Sequence, residues 1–397
     1  MRPEKINIHD YTYDLPDRLV ARFPLPERDR SRLLVYSGGQ VSHHRFAELP
    51  ALLKKDMLLV FNETRVIQAR LLLSKESGAS IEIFVLDPVL PAEMERALSA
   101  TGSVVWKCMI GNKKRFRPED NLQLELGDTV VNVSWHDREQ DEVHFSWRAE
   151  ISFAEILQRA GQIPIPPYLQ RKPVEKDKTV YQTVYSRVEG SVAAPTAGLH
   201  FTPAVMDQLQ QNGIATDFIT LHVGAGTFRP VKSENAIDHE MHAERVFFTR
   251  SNIDQLMRYA GSVIPVGTTS LRSLESLYWF GVGLLEGTLE EFGIPQYFPY
   301  DRPQEKLPSA KDALQAVLDY MDRYRLGKLS GSTSIYIVPG YRFHIPSALI
   351  TNFHQPGSTL VLLVAAWIGE DWKKVYEAAI TNEYRFLSYG DSCLLMP

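Results

Sequence analysis

Cysteine is almost missing from this chain, which has two thiols, Cys108 and Cys393, in 397 residues. Two cysteines so far apart form neither a metal-ligand spacing nor a redox pair, and their scarcity suits a reducing compartment. Long apolar runs are missing as well. The longest, Leu360 to Ile368, is too short to span a bilayer, so no membrane partner is expected. Met1 to Arg18 is polar and charged, which argues against a signal peptide. Net positive charge is lacking too. The formal charge is -5, so the whole molecule is no generic polyanion binder, and nucleic acid would need a local basic patch. Repeats and low-complexity tracts do not occur. What remains is a soluble, cytoplasmic globular protein, 44% hydrophobic, with a sizeable core in one large domain or two.

Helices show themselves by their ends. Ser152 with Glu155 forms a capping box, and Gly161 follows the last turn. Thr202-Pro203 starts a second helix that stops at Gly213. Ser251 to Gly261 and Ser309 to Gly327 carry apolar residues at helical spacing. Strand-like runs lie between them: Met57 to Phe61, Ala215 to Val223, Val263 to Val266 and Ser334 to Val338. Alternation of this kind predicts an α/β core.

Residues 68–148 read differently. Short β-rich runs at Ile81 to Leu86, Val104 to Ile110, Leu122 to Leu126, Thr129 to Trp135 and Glu142 to Trp147 are separated by Gly, Asn and Asp turns. Such a series predicts a small antiparallel β-barrel, inserted into a discontinuous core of residues 1–67 and 149–397. The return path, Gln162 to Pro173, is proline-rich and therefore stiff. The barrel also holds the best basic patch: Lys107, Lys113, Lys114, Arg115 and Arg117, with Phe116 interleaved. A hairpin projecting this charge suits phosphate contact. An ordinary solvated hairpin would look the same.

The densest polar motif is Thr220 to Pro230, TLHVGAGTFRP, where a period-2 apolar run stops at Gly224 and Gly226 between His222 and Arg229. Glycines ending a strand let backbone approach a ligand closely. The motif reads either as a site for a small molecule with an adenine-like or anionic part, or as a tight turn beside a buried histidine. Six more blocks are as dense: Phe61 to Arg70, Gly190 to Thr202, His239 to Glu244, Val266 to Ser276, Thr351 to Thr359 and Tyr384 to Asp391. His239 and His242 with Glu240 and Glu244 resemble a metal set, but further ligands at helical spacing are lacking, so no metal is expected.

Taken together and in order, these blocks resemble the S-adenosylmethionine:tRNA ribosyltransferase-isomerase family of the queuosine pathway, from about Asp14 to Leu395. The resemblance implies a mixed, barrel-like α/β core carrying the inserted β-barrel. It also implies the reaction. The ribosyl group of S-adenosylmethionine joins the aminomethyl arm of a deazaguanine base in the tRNA anticodon loop, and rearranges to the epoxy-cyclopentanediol of epoxyqueuosine. Adenine and methionine leave. S-adenosylmethionine is the substrate, and no metal or redox cofactor is implied. Oligomeric state is left as monomer or small homo-oligomer.

That chemistry needs a base for the carbon beside the sulfonium, donors for departing adenine and for alkoxides, and an anion site for methionine's carboxylate. His222 and His354 are the first candidates for proton transfer, and Asp391 is a base or a histidine's partner. Each is equally readable as a packed core residue. Candidate substrate-binding residues are Asn62, Arg65, Arg70, His200, Gly224, Gly226, Arg229, Thr268, Thr269, Ser270, Arg272, Glu275, Asn352 and Tyr389. Arg65 and Arg70 are expected on either side of the first strand's end. His200, at the start of the Thr202-Pro203 helix, is expected to have a lowered pKa from the positive helix end. His222, Arg229, Thr268, Thr269, Arg272, Asn352, His354 and Tyr389 are expected to line one pocket at the strand ends.

The match departs from the family pattern at Glu63 and Gln68, where Asp and Pro are usual, and at Gln355 and Gly357, where a Leu-Pro-Lys block is usual. With the lysine gone, backbone amides before Ser358 would take over part of its role. A paralogue acting on another nucleobase or nucleoside, and an RNA-binding relative without catalysis, are the alternatives.

Overall fold

Four short strands that all run the same way organise the larger part of the chain. In the computed structural model, which describes residues 5–75, 78–224 and 233–397, Leu58–Asn62 pairs in parallel with Ala215–His222 on one side and Val263–Pro265 on the other. Single parallel bridges, Val263 to Pro346 and Val266 to Ile350, then join Leu349–Asn352 to the same array. Beyond Ala215–His222 the sheet continues through Glu244–Thr249, Lys328–Thr333 and Gly293–Ile294. Beyond Leu349–Asn352 it continues through Ser392–Met396, Arg32–Ser37 and Gln40–Arg45. Leu58–Asn62, Val263–Pro265 and Leu349–Asn352 are buried runs rich in Leu, Val and Ile, as strands covered on both faces must be, whereas Ala215–His222 is buried only from Ile219 on.

One face of this sheet packs Leu59, Phe61, Ile264, Val266 and Ile350 against Ala197, Phe201, Val205 and Leu209. Phe61 is fully buried, a contribution of about 1.5–3 kcal/mol from one side chain. Phe201 and Leu209 belong to the segment around the helix Pro203–Gln211. There Thr202 Oγ1 accepts from Val205 N and Gly213 closes the end in the left-handed region, φ 74°. The long helix Thr268–Glu286 covers strands Leu58–Asn62, Ala215–His222 and Val263–Pro265 and is buried from Ser270 to Gly283. Gly267 precedes it at φ 90°, a conformation that favours glycine at this sharp strand-to-helix turn.

The chain forms two compact units, residues 1–64, 183–187 and 195–397 in the first and 65–182 and 188–194 in the second. The second holds an antiparallel sheet in the order Arg70–Ser74, Ser80–Leu90, Ser103–Gly111, Glu142–Ser146, Thr129–Asp137, Leu122–Leu126. Its first and last strands approach each other, so the sheet is a nearly closed barrel. The helix Phe153–Ala160 follows, with the Ser152–Glu155 capping box formed as the sequence predicts. Trp106, Phe145 and Trp147 pack around Phe153.

Two elements differ from the sequence reading. Ser334 to Val338 is not a strand, and the strand lies earlier, at Lys328–Thr333. Ser334 N donates to Ile294 O and Tyr336 N to Gln296 O, while the Ile335 and Tyr336 carbonyls accept from the side chains of Arg272 and Tyr300. The helix read from Ser251 is Arg250–Arg258, capped by Thr249, with Asn252 in the place a Glu or Gln usually takes in a capping box.

Candidate active site

The parallel arrangement brings the C-terminal ends of four strands to one edge of the first unit. Asn62, His222, the Gly267–Thr268 turn and Asn352 all sit there. Asn62 spends its amide on the neighbouring strand: Nδ2 donates to Leu221 O at 2.9 Å, and Oδ1 accepts from Leu221 N at 3.1 Å and Thr64 N at 3.2 Å. It thereby fixes the strand end from which His222 projects.

His222 is buried with Thr64 Oγ1 3.2 Å from its Nδ1 and Phe247 edge-on at 5.5 Å. Burial, then the nearby Lys328 and Arg245 cations, pushes its pKa down to about 4, so it is neutral near pH 7. Gly224 follows, with nothing near the position a Cβ would take. Gly226 and Arg229 lie outside the described residues.

Thr268 and Ser270 are buried and Thr269 is half-buried at the start of the long helix. Ser270 Oγ donates to Val266 O, so its hydroxyl bonds back into the turn. The backbone amides of residues 268–270 have no partner among the described residues, which leaves a helix N-terminus ready for an anion. Farther along, Arg272 turns to the sheet, where Nη1 donates to Glu244 Oε2 at 2.6 Å and Nε to Ile335 O at 3.3 Å. Glu275 accepts from Tyr341 Oη and from the His344 and Ile345 amides. Its carboxyl holds the 341–345 loop, and burial pushes its pKa up to about 7.

Asn352 Nδ2 donates to His200 Nε2 at 3.1 Å and to Leu387 O at 3.3 Å. His200 Nδ1 lies 2.8 Å from Ser31 Oγ. The His200 pKa falls to about 3, chiefly through burial and then through the Arg385 cation, with a hydrogen bond to the Arg28 backbone working the other way. The sequence reading assigned that lowering to the helix end, but burial is the larger cause. Leu387 itself sits at φ 70°, a costly region for a bulky residue, where the Phe353 carbonyl and the Asn352 amide hold it.

His354 is buried with Nε2 3.0 Å from Thr351 Oγ1, while its backbone N–H donates to Tyr376 Oη and its carbonyl accepts from Tyr13 Oη. Burial alone lowers its pKa to about 3. Asp391 accepts from Arg32 N at 2.9 Å, Arg32 Nε at 3.3 Å and Arg385 N at 2.8 Å, and no histidine is among its partners. Tyr389 is buried beside it in the chain. Gly357 adopts φ 61°, and its amide is taken by Tyr11 O at 3.0 Å. Ser358 Oγ caps Val361 N at 3.3 Å. The Gly357 amide is therefore already used and is not one of the amides that could replace a lysine.

Arg65 and Arg70 belong to the second unit rather than flanking the core strand, because the chain leaves that strand at Asn62. Arg65 is exposed and, with Gln68, Gln158, Lys178 and Glu189, lines a cavity of about 380 Å³. Arg70 pairs with Glu82 Oε1 and reaches Gln162 Oε1 at 3.3 Å, tying the barrel to the return path.

The basic hairpin is the short 3-10 turn Lys113–Arg115, entered through Asn112 at φ 60°. Lys114, Arg115 and Arg117 are exposed, whereas Lys113 bonds Asp141 at 2.5 Å. Lys107 is exposed on its strand opposite Glu142 and Asp87. Phe116 is fully buried, stacked on Trp135 at 4.6 Å, so it supports the turn and offers no ring to a base. His239 and His242 have no third ligand: no group of three metal-ligating side chains occurs among the described residues.

Ser31, Thr64, Thr351, Tyr13 and Tyr376 escaped the sequence reading. Each acts through a histidine or an amide that it holds, and a lone hydroxyl gives no spacing signal. Thr64 and Thr351, inside the dense blocks Phe61 to Arg70 and Thr351 to Thr359, and Ser31, inside the charged run Arg28 to Arg32, had neighbourhoods that could have drawn notice.

Residues 8–395 match the family model described as queuosine biosynthesis protein. A relative from Azoarcus sp., named S-adenosylmethionine:tRNA ribosyltransferase-isomerase, is 36% identical over 394 residues, covering 98% of this chain and 97% of its own. One of the same name from Dechloromonas aromatica is 38% identical over 394 residues, with the same coverage. A crystal structure of an S-adenosylmethionine tRNA ribosyltransferase from Thermotoga maritima is 24% identical, with a TM-score of 0.46 over 98% of this chain and 100% of that one.

Proposed function

The chain belongs to the queuosine biosynthesis protein family, and from that premise we infer that it is an S-adenosylmethionine:tRNA ribosyltransferase-isomerase. The enzyme transfers the ribosyl group of S-adenosylmethionine to the aminomethyl-deazaguanine base of tRNA, isomerises it to epoxyqueuosine, and releases adenine and methionine. The full-length match to relatives of that name carries this reading. Neither a paralogue acting on a different acceptor nor an inactive RNA-binding relative is favoured.

The residues divide the work as follows. His222 and His354 are neutral near pH 7, the form that accepts a proton, and they are the candidate bases for the carbon beside the sulfonium; the burial that keeps them neutral also lowers their basicity. Thr64 and Thr351 fix their rings. The Thr268–Ser270 amides take an anionic part of the substrate. Asp391 acts by anchoring Arg32 and Arg385. Lys114, Arg115 and Arg117 contact phosphates around the tRNA anticodon loop, with Lys113 and Lys107 weakened by acidic neighbours. The reaction draws on no metal or redox cofactor.

No helix among the described residues is long and apolar enough to cross a membrane. The protein works in the cytoplasm, where tRNA is modified, as a monomer or small homo-oligomer. The test is direct: incubation with S-adenosylmethionine and precursor-bearing tRNA releases adenine and methionine in equal amounts. Formation of S-adenosylhomocysteine in their place would refute the assignment.

A further inference from the structure

The amide of Asn352 is fixed from two sides. Its Nδ2 donates to both His200 Nε2 and Leu387 O, which settles which end of the amide is which. His200 Nε2 is then the accepting nitrogen, and Nδ1 carries the proton toward Ser31 Oγ. His200 has no ring nitrogen left for a substrate. Asn352 Oδ1, by contrast, has no hydrogen-bond partner among the described residues, although the residue is only 3% exposed. A buried carbonyl left without a donor is costly and rare in folded proteins.

Its position gives that oxygen a use. Asn352 follows Ile350 by two residues on one strand and so shares its face. Ile350 O accepts the Gly267 amide at 2.8 Å, immediately before the Thr268–Glu286 helix begins. The turn Thr196–His200, which carries His200, packs at the same corner, where a Cβ on Gly267 would lie 3.6 Å from Ala197 Cβ. One corner thus combines a long helix's free amides with a buried, unpartnered acceptor. Donors for an anion beside an acceptor for a cation match an α-amino acid, whose carboxylate and ammonium hang on one carbon.

Resting on the S-adenosylmethionine reading above, we propose that this corner holds the methionine end of that substrate. The Thr268–Ser270 amides take its carboxylate, and Asn352 Oδ1 accepts from its α-ammonium. His200 and Ser31 are positioning residues: they hold the Asn352 amide with its oxygen toward the ligand.

Calorimetry on the complex with tRNA that lacks the aminomethyl arm, and so cannot react, tests this with three ligands: S-adenosylmethionine, its analogue lacking the α-amino group, and its analogue lacking the carboxylate. In the natural protein each deletion weakens binding about 10- to 100-fold, as expected for a lost charge-assisted contact. In Asn352→Ala the penalty for losing the amino group falls to about 2-fold or less, while the carboxylate penalty stays. Undiminished discrimination against the desamino analogue in Asn352→Ala overturns the proposal. Should that variant not fold, Ser31→Ala serves. The Kd for S-adenosylmethionine rises several-fold, the desamino analogue is little affected, and Ser31→Thr restores the natural values. Equal weakening of both ligands, or none, would again overturn it. A natural protein that neither binds S-adenosylmethionine nor releases adenine would sink the functional reading as well, a result distinct from intact binding without the Asn352 coupling.

Discussion

Lowering the pH from 7 to 5 should cost the first unit several kcal/mol of stability, because its buried histidines are folded in the neutral form. His200 and His354 have pKa values of about 3 and His222 and His344 of about 4, against an ordinary 6.5. The sign follows from proton counting. Between about pH 4 and 6.5 the unfolded chain binds protons at these sites and the folded chain does not, so stability rises with pH there. Their contribution is complete above pH 6.5 and is lost as the pH falls toward the folded values. At pH 5 each histidine has lost about 2 kcal/mol relative to pH 7, about 7 kcal/mol for the four. Glu275 opposes them. Its pKa is raised to about 7, so protonation favours the folded state and returns about 2 kcal/mol over the same interval. The net loss is about 5 kcal/mol, comparable to the whole stability of many domains. Urea unfolding at pH 7, 6 and 5 measures it. His200→Gln isolates one term, and its profile should be flatter than the natural protein's by about 1.4 kcal/mol per pH unit near pH 5. Parallel profiles would show that the histidine already carries a proton when folded. The same outcome for His222→Gln would remove it as a neutral proton acceptor.

Replacing Lys113, Lys114 and Arg115 together by alanine should weaken tRNA binding and lower its salt slope by about 2. Binding of S-adenosylmethionine should be unchanged. Lys113→Ala alone should do less than Lys114→Ala, because Asp141 already neutralises Lys113, and equal tRNA affinity in the triple variant would remove the hairpin from the interface. Gly357→Lys should lower the thermal midpoint, since a side chain at φ 61° costs about 1 kcal/mol, with no gain in S-adenosylmethionine affinity. Tenfold tighter binding in that variant would show that the loop does lack a cation.

Much of the scaffold was legible because its signals are local. Ser152 with Glu155, and Thr202 with Pro203, name their helices through caps that need only four neighbouring residues. The barrel strands show through their period and their turns. Lys328–Thr333 was missed because KLSGST has little β-rich character, and its place in the sheet comes from the partner Glu244–Thr249. Ser334 to Val338 looked like the strand because it is apolar, yet it is apolar for burial, and its Ile335 and Tyr336 carbonyls bond side chains and not a strand. At the site, Gly-containing turns pointed to His222 and His354. What each side chain does there was not legible. The partners of Glu275 are 66 to 70 residues away and those of Asp391 include Arg32, 359 residues away. Long-range pairing of that kind leaves no spacing in a sequence.

In this reaction the ribosyl carbons of S-adenosylmethionine, and not its methyl group, reach the tRNA. The most direct measurement incubates the protein and precursor-bearing tRNA with S-adenosylmethionine labelled in the ribose or in the methyl group, then weighs the digested nucleosides. The expected result is ribose label in an epoxyqueuosine nucleoside, with the methyl label recovered in free methionine. Methyl label in the tRNA, or ribose label left wholly outside it while adenine is released, would rule out ribosyl transfer.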